Sequence, residues 1–284
     1  SNNYSSSTSM GQTASLYIGA SNGPAHHWDG YLDEIRVVKG TALWKGGNNF
    51  VPPTRRGAGG PLIDGSQNLN DGTLVNGAGV EATGPTTRRN GQVILPTLSA
   101  YLEFDGTDQY TSIAYNTSLN TPDGASFCFW FNADNAGTSS QTLLSRGDSD
   151  GGSTPDNPRI EIAGGTDCRI YFDWTSPSSG DNYCQSSNGS FTKGVWTHCV
   201  CTIIAGGRME IYVNGNIPTY QNRINADTVP NPLVNNAKDI QLGGATWIPR
   251  YFNGKMAAVQ MYNKALTAAQ IKQNFNQQRS RFGV

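Results

Sequence analysis

From residue 100 onward, short runs of aromatic and β-branched residues are separated by clusters of turn-forming residues. Apolar and polar positions alternate most clearly in three runs, at residues 126–132, 168–174 and 196–204. A period of two residues is typical of a strand that turns one face toward a core. Many short strands of this kind, each bounded by turns, predict an all-β sandwich.

Two turn signals follow each other closely in the second half of the chain. The sequence Ala205-Gly206-Gly207 separates strand-like runs at residues 195–204 and 208–213. Asn214-Gly215 comes directly after the second run and is a dipeptide favoured in tight hairpins. Two consecutive hairpin links predict a three-stranded meander.

Only the end of the chain has the pattern of a helix, from Ala268 to about Arg279. Thr267 and Gln270 have the spacing of a capping box, and Leu266 is placed to pack against Ile271 as a hydrophobic staple. Phe275 follows Ile271 by one turn and lies on the same helix face. We therefore predict a terminal helix that docks on the sandwich.

A weak internal repeat divides the chain. Residues 16–37 align without a gap with residues 240–261, and the apolar and glycine positions are kept. Residues 1–56 are therefore predicted to be the C-terminal remnant of an upstream domain, residues 57–61 a linker, and residues 62–284 a complete domain. The remnant would expose strand edges, so we expect it to pack on preceding polypeptide or on a neighbouring subunit in a homo-oligomeric array.

Composition excludes two classes of partner. The formal net charge is −1 and the basic residues are dispersed, so the chain lacks the basic surface that nucleic-acid binding requires. No apolar run approaches the roughly 20 residues that a membrane-spanning helix needs, which predicts no membrane insertion. The five cysteines are an odd number, and most lie in strand-like runs where cysteine acts as a small apolar residue. They favour free thiols over a disulfide framework.

Several segments, in this order, resemble laminin-G-like (concanavalin A-like) jelly-roll domains: Asp71–Gly77, Tyr101–Tyr110, Leu143–Asp148, Trp196–Val200, Ile211–Gly215 and Phe252–Thr267. The resemblance implies an all-β concanavalin A-like/laminin-G-like jelly-roll sandwich with a short C-terminal helix. The remnant at residues 1–56 would then be the closing strands of a second such domain.

A second resemblance concerns function. Residues 273–284 resemble the ends of virion structural proteins from large tailed phages, including phages of cyanobacteria, and residues 28–37 with 50–54 resemble laminin-G-like domains of phage tail and appendage proteins. This implies a non-catalytic virion structural protein, such as a tail-fibre, capsid-associated or other appendage component at the virion surface. Its partners would be other virion subunits and a receptor or cell-surface glycan. The alternative is an extracellular lectin-like or adhesion module of cellular origin.

Catalysis is not predicted. Concanavalin A-like folds include glucan hydrolases that carry acidic residues at alternate positions of one strand. No such constellation is present, because Glu103, Glu161 and Glu210 are far apart in the sequence. We therefore assign no catalytic residue, and calcium is the one cofactor for which the sequence offers candidate ligands.

Two metal sites can be considered. Strand alternation places His198 on the face opposite to Cys199 and Cys201, so these three residues do not predict a zinc site. Asp148, Asp150 and Asp156 lie in a glycine-rich segment and are calcium candidates, although the spacing of a dedicated calcium loop is missing. A solvated loop is the alternative.

Trp174, Trp247 and Tyr251 lie in or beside predicted loops. Aromatic rings at such positions stack against sugar rings in many binding sites, so these three residues are the carbohydrate candidates. The alternative is that they close the core at the strand ends. The tripeptide Arg146-Gly147-Asp148 matches an adhesion motif, but it coincides with a strand end of the resembled family, which favours a structural role.

Overall fold

The fold is that of a computed structural model, and the residues described are 70–81, 87–89, 92–94, 101–134, 139–147, 157–163, 167–175 and 182–284. The predicted remnant (1–56) and linker (57–61) lie outside these residues and stay predictions. Within them the chain forms two packed β-sheets and one α-helix near the C-terminus. The predicted fold class is therefore confirmed for the sandwich, and the second domain stays a prediction.

The strands in chain order are β1 (Gly72–Val75), β2 (Gly79–Glu81), β3 (Thr87–Arg89), β4 (Gln92–Ile94), β5 (Tyr101–Asp105), β6 (Tyr110–Ile113), β7 (Gly124–Ala133), β8 (Gln141–Ser145), β9 (Arg159–Ile162), β10 (Ile170–Asp173), β11 (Tyr183–Ser186), β12 (Thr197–Ile204), β13 (Met209–Val213), β14 (Tyr220–Ile224), β15 (Ile240–Leu242) and β16 (Asn253–Tyr262). The helix α1 spans Ala268–Gln278, and a 3₁₀ turn at Arg279–Phe282 continues it.

In the part of the chain that the structure describes, the larger sheet has eight strands in the order β1-β6-β15-β8-β9-β10-β11-β14. The smaller sheet has six, in the order β13-β12-β7-β16-β5-β2, and β3 pairs with β4 separately. Neighbouring strands pair antiparallel. Strands that are far apart in sequence lie side by side, as in a jelly roll, and this arrangement brings distant side chains onto one sheet face.

The core fills the space between the two sheets. In β7, Phe127, Phe129 and Phe131 point inward, and on the opposite sheet Ile160 and Phe172 meet them. The Phe127 and Phe172 rings contact edge to face with centroids 6.2 Å apart. Alternation in the sequence thus matches alternation between the core and the outer face of each sheet.

The outer face of the six-stranded sheet is covered by α1. The capping box is present, because the Thr267 hydroxyl accepts a hydrogen bond from the Gln270 backbone N–H and the Gln270 side chain accepts one from the Thr267 N–H. Leu266 and Ile271 pack in one apolar cluster with Tyr212 of β13. The predicted helix, its cap and its docking on the sandwich are confirmed.

The predicted hairpin between β12 and β13 is confirmed, but the meander is wrong. Asn214 and Gly215 have the positive φ angles of a tight turn, 51° and 75°. After it the chain makes one bridge, between Val213 and Asn216, and then crosses to pair with β11 in the other sheet. Pro218 follows this bridge, and a proline has no N–H with which to continue a ladder.

All five cysteines are free thiols, as the sequence favoured. Cys184 of β11 lies opposite Phe172 of β10, whereas Cys168 precedes β10, so the two thiols are not cross-strand partners. Burial raises the pKa of the Cys128 thiol to about 12. At neutral pH this thiol is therefore protonated and packs as an apolar side chain.

Candidate functional site

The outer face of the eight-stranded sheet carries two rows of side chains that run across the strands. One row is formed by cross-strand partners on five neighbouring strands: Thr142, Glu161, Tyr171, Gln185 and Asn222. It is joined by hydrogen bonds from the Thr142 hydroxyl to Glu161 (3.1 Å) and from the Asn222 amide to Gln185 (2.9 Å).

The second row lies next to the first and is formed by Ser145, Arg159, Asp173, Tyr183 and Ile224. Arg159 Nη2 donates to Asp173 Oδ2 at 2.8 Å, and the Asp173 carboxylate is almost fully buried. In the first row, Tyr171 thus lies between two hydrogen-bonded pairs. In the second row, Tyr183 lies beside the Arg159–Asp173 ion pair.

A groove of about 240 Å³ runs over these rows. Eight residues line it: Ser140, Arg159, Glu161, Ala163, Arg169, Tyr171, Gln185 and Arg250. The lining combines guanidinium, carboxylate, amide, hydroxyl and phenol groups on a rigid sheet, so it presents hydrogen-bonding groups at fixed spacings. We call the cleft formed by these eight residues the groove.

Arg250 connects the groove to the loop between β15 and β16. Its Nη1 lies 3.1 and 3.0 Å from the two carboxylate oxygens of Glu161. Its backbone carbonyl accepts a hydrogen bond from the Thr142 N–H at 3.0 Å. The loop is thereby fixed against the β8 end of the groove, and Arg250 forms one wall.

Two tyrosines form an aromatic surface, Tyr171 in the groove lining and Tyr183 beside it. The Tyr171 and Tyr183 rings lie 5.0 Å apart with 35° between their planes, and the guanidinium carbon of Arg159 lies 5.7 Å from the Tyr171 ring centroid. Burial, followed by the nearby Asp173 carboxylate, raises the pKa of the Tyr171 phenol above its usual range. Tyr171 is therefore neutral at physiological pH and keeps a proton to donate.

Arg169 forms the opposite wall. Its Nη2 lies 2.6 Å from Asp167 Oδ2, and its Nη1 donates to the Gln221 side chain. Its Nε–H is buried without a hydrogen-bond partner among the described residues. The Arg169 side chain as a whole is 20% exposed, so part of the guanidinium is accessible from solvent.

Trp174 was predicted as a surface ring for carbohydrate, and the structure corrects this. Its side chain is 1% exposed and packs in the core, with its ring 6.5 Å from that of Phe127. The alternation of β10 explains the placement, because Trp174 continues the inward side of Ile170 and Phe172.

The other two predicted rings lie beside the groove. Trp247 is half-buried in the loop after β15, and the guanidinium carbon of Arg159 lies 5.8 Å from its ring centroid. Tyr251 is also half-buried and covers Gly244, where an added Cβ would lie 2.8 Å from Tyr251 Cδ1. Neither ring is part of the groove lining, so their role as carbohydrate contacts stays a prediction.

The calcium candidates Asp148, Asp150 and Asp156 lie outside the described residues, and calcium binding there stays a prediction. In the described part of the chain, no three His, Cys, Asp or Glu side chains cluster as metal ligands would. His198 contacts Trp130 on the helix side of its sheet, whereas Cys199 and Cys201 face the core.

Arg146 of the adhesion-like tripeptide is 1% exposed. Its guanidinium donates to the Leu119 carbonyl at 3.0 Å, to Asn120 Oδ1 at 2.7 Å and to the Lys238 carbonyl at 3.2 Å. It therefore ties loops together at one end of the sandwich, which agrees with the structural role favoured by its position.

Sequence reasoning missed most of the groove. A usable signal was present: the runs at 159–162, 170–173 and 183–186 alternate apolar residues with Arg159, Glu161, Tyr171, Asp173 and Gln185. Three consecutive strands with large polar or aromatic side chains on the outer face indicate a decorated sheet surface. Arg250 and Arg169 had no such signal, because they lie in loops that only the fold brings to the same face.

A family model described as the concanavalin A-like lectin/glucanases superfamily, in its laminin-G-like branch, matches residues 105–272. The chain belongs to this superfamily. The match spans the strands from β6 to β16, including every strand that contributes to the groove. In this member of the superfamily, the groove lies on the outer face of the larger sheet.

Solved structures with a similar fold include two toxin domains. The binding domain of Paraclostridial mosquitocidal protein 1 is 14% identical over 76% of this chain, with a TM-score of 0.56. The botulinum neurotoxin serotype G binding domain is 14% identical over 77%, with a TM-score of 0.53. The alignments cover 49% of each of those chains, so this chain spans about half their length. At these identities the likeness shows the fold alone.

A third similar structure is domain 4 of AbnA, an extracellular arabinanase from Geobacillus stearothermophilus, solved in complex with arabinotriose. It is 19% identical over 75% of this chain and 91% of that domain, with a TM-score of 0.48. No curated protein matches the sequence. Among the described residues, no helix has the length and apolar character needed to cross a membrane.

Proposed function

We propose that the domain is a non-catalytic binding module that contacts a glycan through the groove, and that the chain is a structural component of a virion appendage. The observation that carries the binding function is the groove itself. It places the Tyr171 and Tyr183 rings beside fixed rows of hydrogen-bonding side chains on one sheet face.

Sugars match this combination of groups. A sugar ring has an apolar face that packs on aromatic rings and hydroxyls that need donors and acceptors at defined positions. The Gln185 amide, the Ser140 hydroxyl and the Arg250 guanidinium line the same groove and offer both. Because these groups stand on paired strands or on the loops that join them, little conformational entropy is lost when a ligand binds.

The acidic residues support binding over hydrolysis. A glycosidase needs two carboxyl groups that flank the scissile bond, one as an acid and one as a base or nucleophile. Here Glu161 is tied to Arg250 and Thr142, and Asp173 to Arg159. Glu103 and Glu210 belong to the other sheet, where they pair with Lys255 and Arg208.

The virion part of the proposal rests on the resemblance of residues 273–284 and 28–37 to virion proteins of tailed phages. A rigid sandwich with low charge suits a spacer or contact module on a particle surface. Partner subunits would be other copies of this chain or other appendage proteins. The alternative of a cellular extracellular lectin-like module makes the same use of the groove.

Glycan binding is tested by screening the protein on a glycan array and measuring affinities for the hits by titration calorimetry. We expect Tyr171→Ala and Tyr183→Ala to weaken binding about 10-fold each, because each removes a ring from the aromatic surface. Tyr115→Ala is the matched control, since Tyr115 lies on a loop and lines no part of the groove. Binding that is unchanged in both tyrosine variants but abolished by substitutions outside the groove would overturn the assignment of the groove as the binding site.

Hydrolysis is tested on the same hits by assaying the release of reducing sugar. We expect none above the buffer control. Release that disappears in Glu161→Gln but persists in Glu103→Gln would make the groove an active site and contradict the non-catalytic proposal.

The virion role is tested by immunogold labelling of purified particles with antibodies raised against residues 62–284. Regular labelling of one particle feature is the expected result. Labelling of the host cell envelope with unlabelled particles would favour the cellular alternative.

A further inference from the structure

We infer that the groove takes an acidic saccharide, one whose rings carry carboxylate or sulfate groups. This inference rests on the proposed glycan binding and specifies the class of glycan. The feature that carries it is the layering of charge in the groove, in which guanidinium groups lie above buried carboxylates.

Two ion pairs show this layering. In the Arg159–Asp173 pair the exposed fractions of the two side chains are 12% and 2%, and in the Arg250–Glu161 pair they are 30% and 5%. In both pairs the carboxylate is the more buried group, and the guanidinium lies closer to solvent. A ligand entering the groove therefore meets N–H donors before it meets carboxylate oxygens.

Arg169 adds a third guanidinium to the lining, whereas Glu161 is the lining's one acidic residue among those described. Asp167, the partner of Arg169, is not part of the lining. The Arg169 side chain is 20% exposed, so its guanidinium is partly accessible to a ligand. Among the described residues, the lining thus carries more cationic than anionic groups.

The neutral residues of the lining also favour an anionic ligand. The Tyr171 phenol stays protonated, because burial raises its pKa, and can donate to an anion. Gln185 accepts a hydrogen bond from Asn222 through its oxygen, which leaves its amide nitrogen as the group available to a ligand. Carboxylates and sulfates are acceptors only, and their bonds with guanidinium donors are among the strongest that proteins make.

Alternative ligands fit less well. A nucleic acid would need basic residues along a run of successive phosphates, whereas the groove has three arginines within one short cleft. A simple inorganic anion would leave the Tyr171 and Tyr183 rings without a role. A saccharide that bears an anionic group uses both the rings and the guanidinium layer.

The experiment compares two pairs of polysaccharides with the same backbone, in which one member carries anionic groups and the other is neutral. The first pair is polygalacturonate and its fully methyl-esterified form, and the second is dextran sulfate and dextran. Binding is measured by biolayer interferometry at constant ionic strength. We expect at least about 10-fold tighter binding of one charged member than of its neutral partner, as one charge-assisted hydrogen bond would give.

Arg169→Gln is the test variant, because its partner Asp167 is exposed and the substitution strands no buried carboxylate. Arg208→Gln is the matched control, since Arg208 also pairs with a carboxylate but lies in the other sheet's β12–β13 turn. We expect Arg169→Gln to weaken binding of the acidic polymer about 10-fold and leave neutral polymers unchanged. The control should retain full affinity, and melting temperatures verify that both variants fold.

The outcomes separate the two proposals. Equal binding of charged and neutral members, with sensitivity to Tyr171→Ala but not to Arg169→Gln, would overturn the acidic ligand and keep the glycan groove. Loss of acidic-polymer binding in Arg208→Gln as much as in Arg169→Gln would show nonspecific charge attraction and also overturn it. Binding of none of the four polymers, together with no hit on the glycan array, would overturn the proposed function itself. A preference within one pair alone assigns the anionic group as carboxylate or sulfate.

Discussion

The indole ring of Trp130 and the phenyl ring of Phe282 lie stacked, with centroids 4.1 Å apart and 12° between their planes. Trp130 stands in β7, inside the six-stranded sheet, and Phe282 lies in the 3₁₀ turn that follows α1. The indole N–H also donates to Gln278 Oε1 at 2.8 Å. The last turns of the chain are therefore part of the fold, held by one tryptophan of the sheet.

Our first prediction concerns this terminal clasp, defined as α1 with the 3₁₀ turn after it. Phe275 is buried and stacks on Trp130 with centroids 5.8 Å apart. Phe275→Ala should lower the free energy of unfolding by about 3 kcal/mol, because it removes a buried ring. Thr267→Ala removes the cap alone and should cost about 1 kcal/mol. Urea denaturation measures both.

A result in which Phe275→Ala keeps full stability but abolishes assembly into particles would contradict the clasp and make the helix an interface. Gln277→Ala, an exposed position on the same helix, serves as the neutral control.

The second prediction is a pH dependence that originates at His198. This side chain packs against both Trp130 and Phe275, and burial lowers its pKa from 6.5 to about 4. The unfolded chain therefore binds more protons than the folded chain between these values. This contribution to stability is full well above pH 6.5 and is lost as the pH drops toward 4, by about 2 kcal/mol between pH 7 and 5.

Unfolding free energies measured at pH 7, 6 and 5 verify this, with His198→Gln as the comparison. The variant should have a flatter profile, because glutamine does not titrate. An equal loss of stability in both proteins would assign the pH dependence to other groups.

The third prediction concerns Arg146. Arg146→Met keeps most of the side-chain volume but leaves the Leu119 carbonyl, the Asn120 amide oxygen and the Lys238 carbonyl without their donor. Each unsatisfied buried acceptor is unfavourable, so we expect a loss of about 3 kcal/mol. Lys255→Met, at a partly exposed ion pair with Glu103, should change stability by less than about 1 kcal/mol. A small loss at Arg146 would mean that water replaces the guanidinium.

The fourth prediction compares two glycines with similar φ angles. Gly243 has φ +77° and an added Cβ would lie 2.6 Å from the Phe104 ring, whereas Gly189 has φ +73° and open space around it. Gly243→Ala combines backbone strain with a clash in the core and should cost about 3 kcal/mol or more. Gly189→Ala carries the strain alone, about 1 kcal/mol. Equal melting temperatures for the two variants would show that the Phe104 ring moves aside.

The strands and the helix were predictable because their signals are local. Alternation in residues 126–132, the glycines at 206–207 and the Thr267–Gln270 cap each act within a few residues. The meander was predicted wrongly because the sheet to which a strand belongs is a long-range property. The Tyr220 hydroxyl, which accepts a hydrogen bond from the Ile211 backbone N–H of the opposite sheet at 2.8 Å, makes one contact that no local pattern contains.

The difference between local signals and long-range contacts also explains what could be predicted of the site. The prediction of Trp174 as a surface ring failed because a position near a strand end does not tell which face the residue takes. Trp247 lies near the groove, but its neighbour Arg159 is distant in the sequence. The ion pair between Arg250 and Glu161 also joins residues that are far apart in sequence, and only the packing of the fold brings them together.

The alternation in β9 and β10 has a consequence for how such domains diversify. Ile160, Ile162 and Phe172 face the core, while Glu161 and Tyr171 between and beside them face the groove. A substitution at an outward position changes the chemistry of the groove surface without opening a cavity in the core. Outward positions that belong to no buried ion pair, such as Gln185, can therefore change during evolution at little risk to folding.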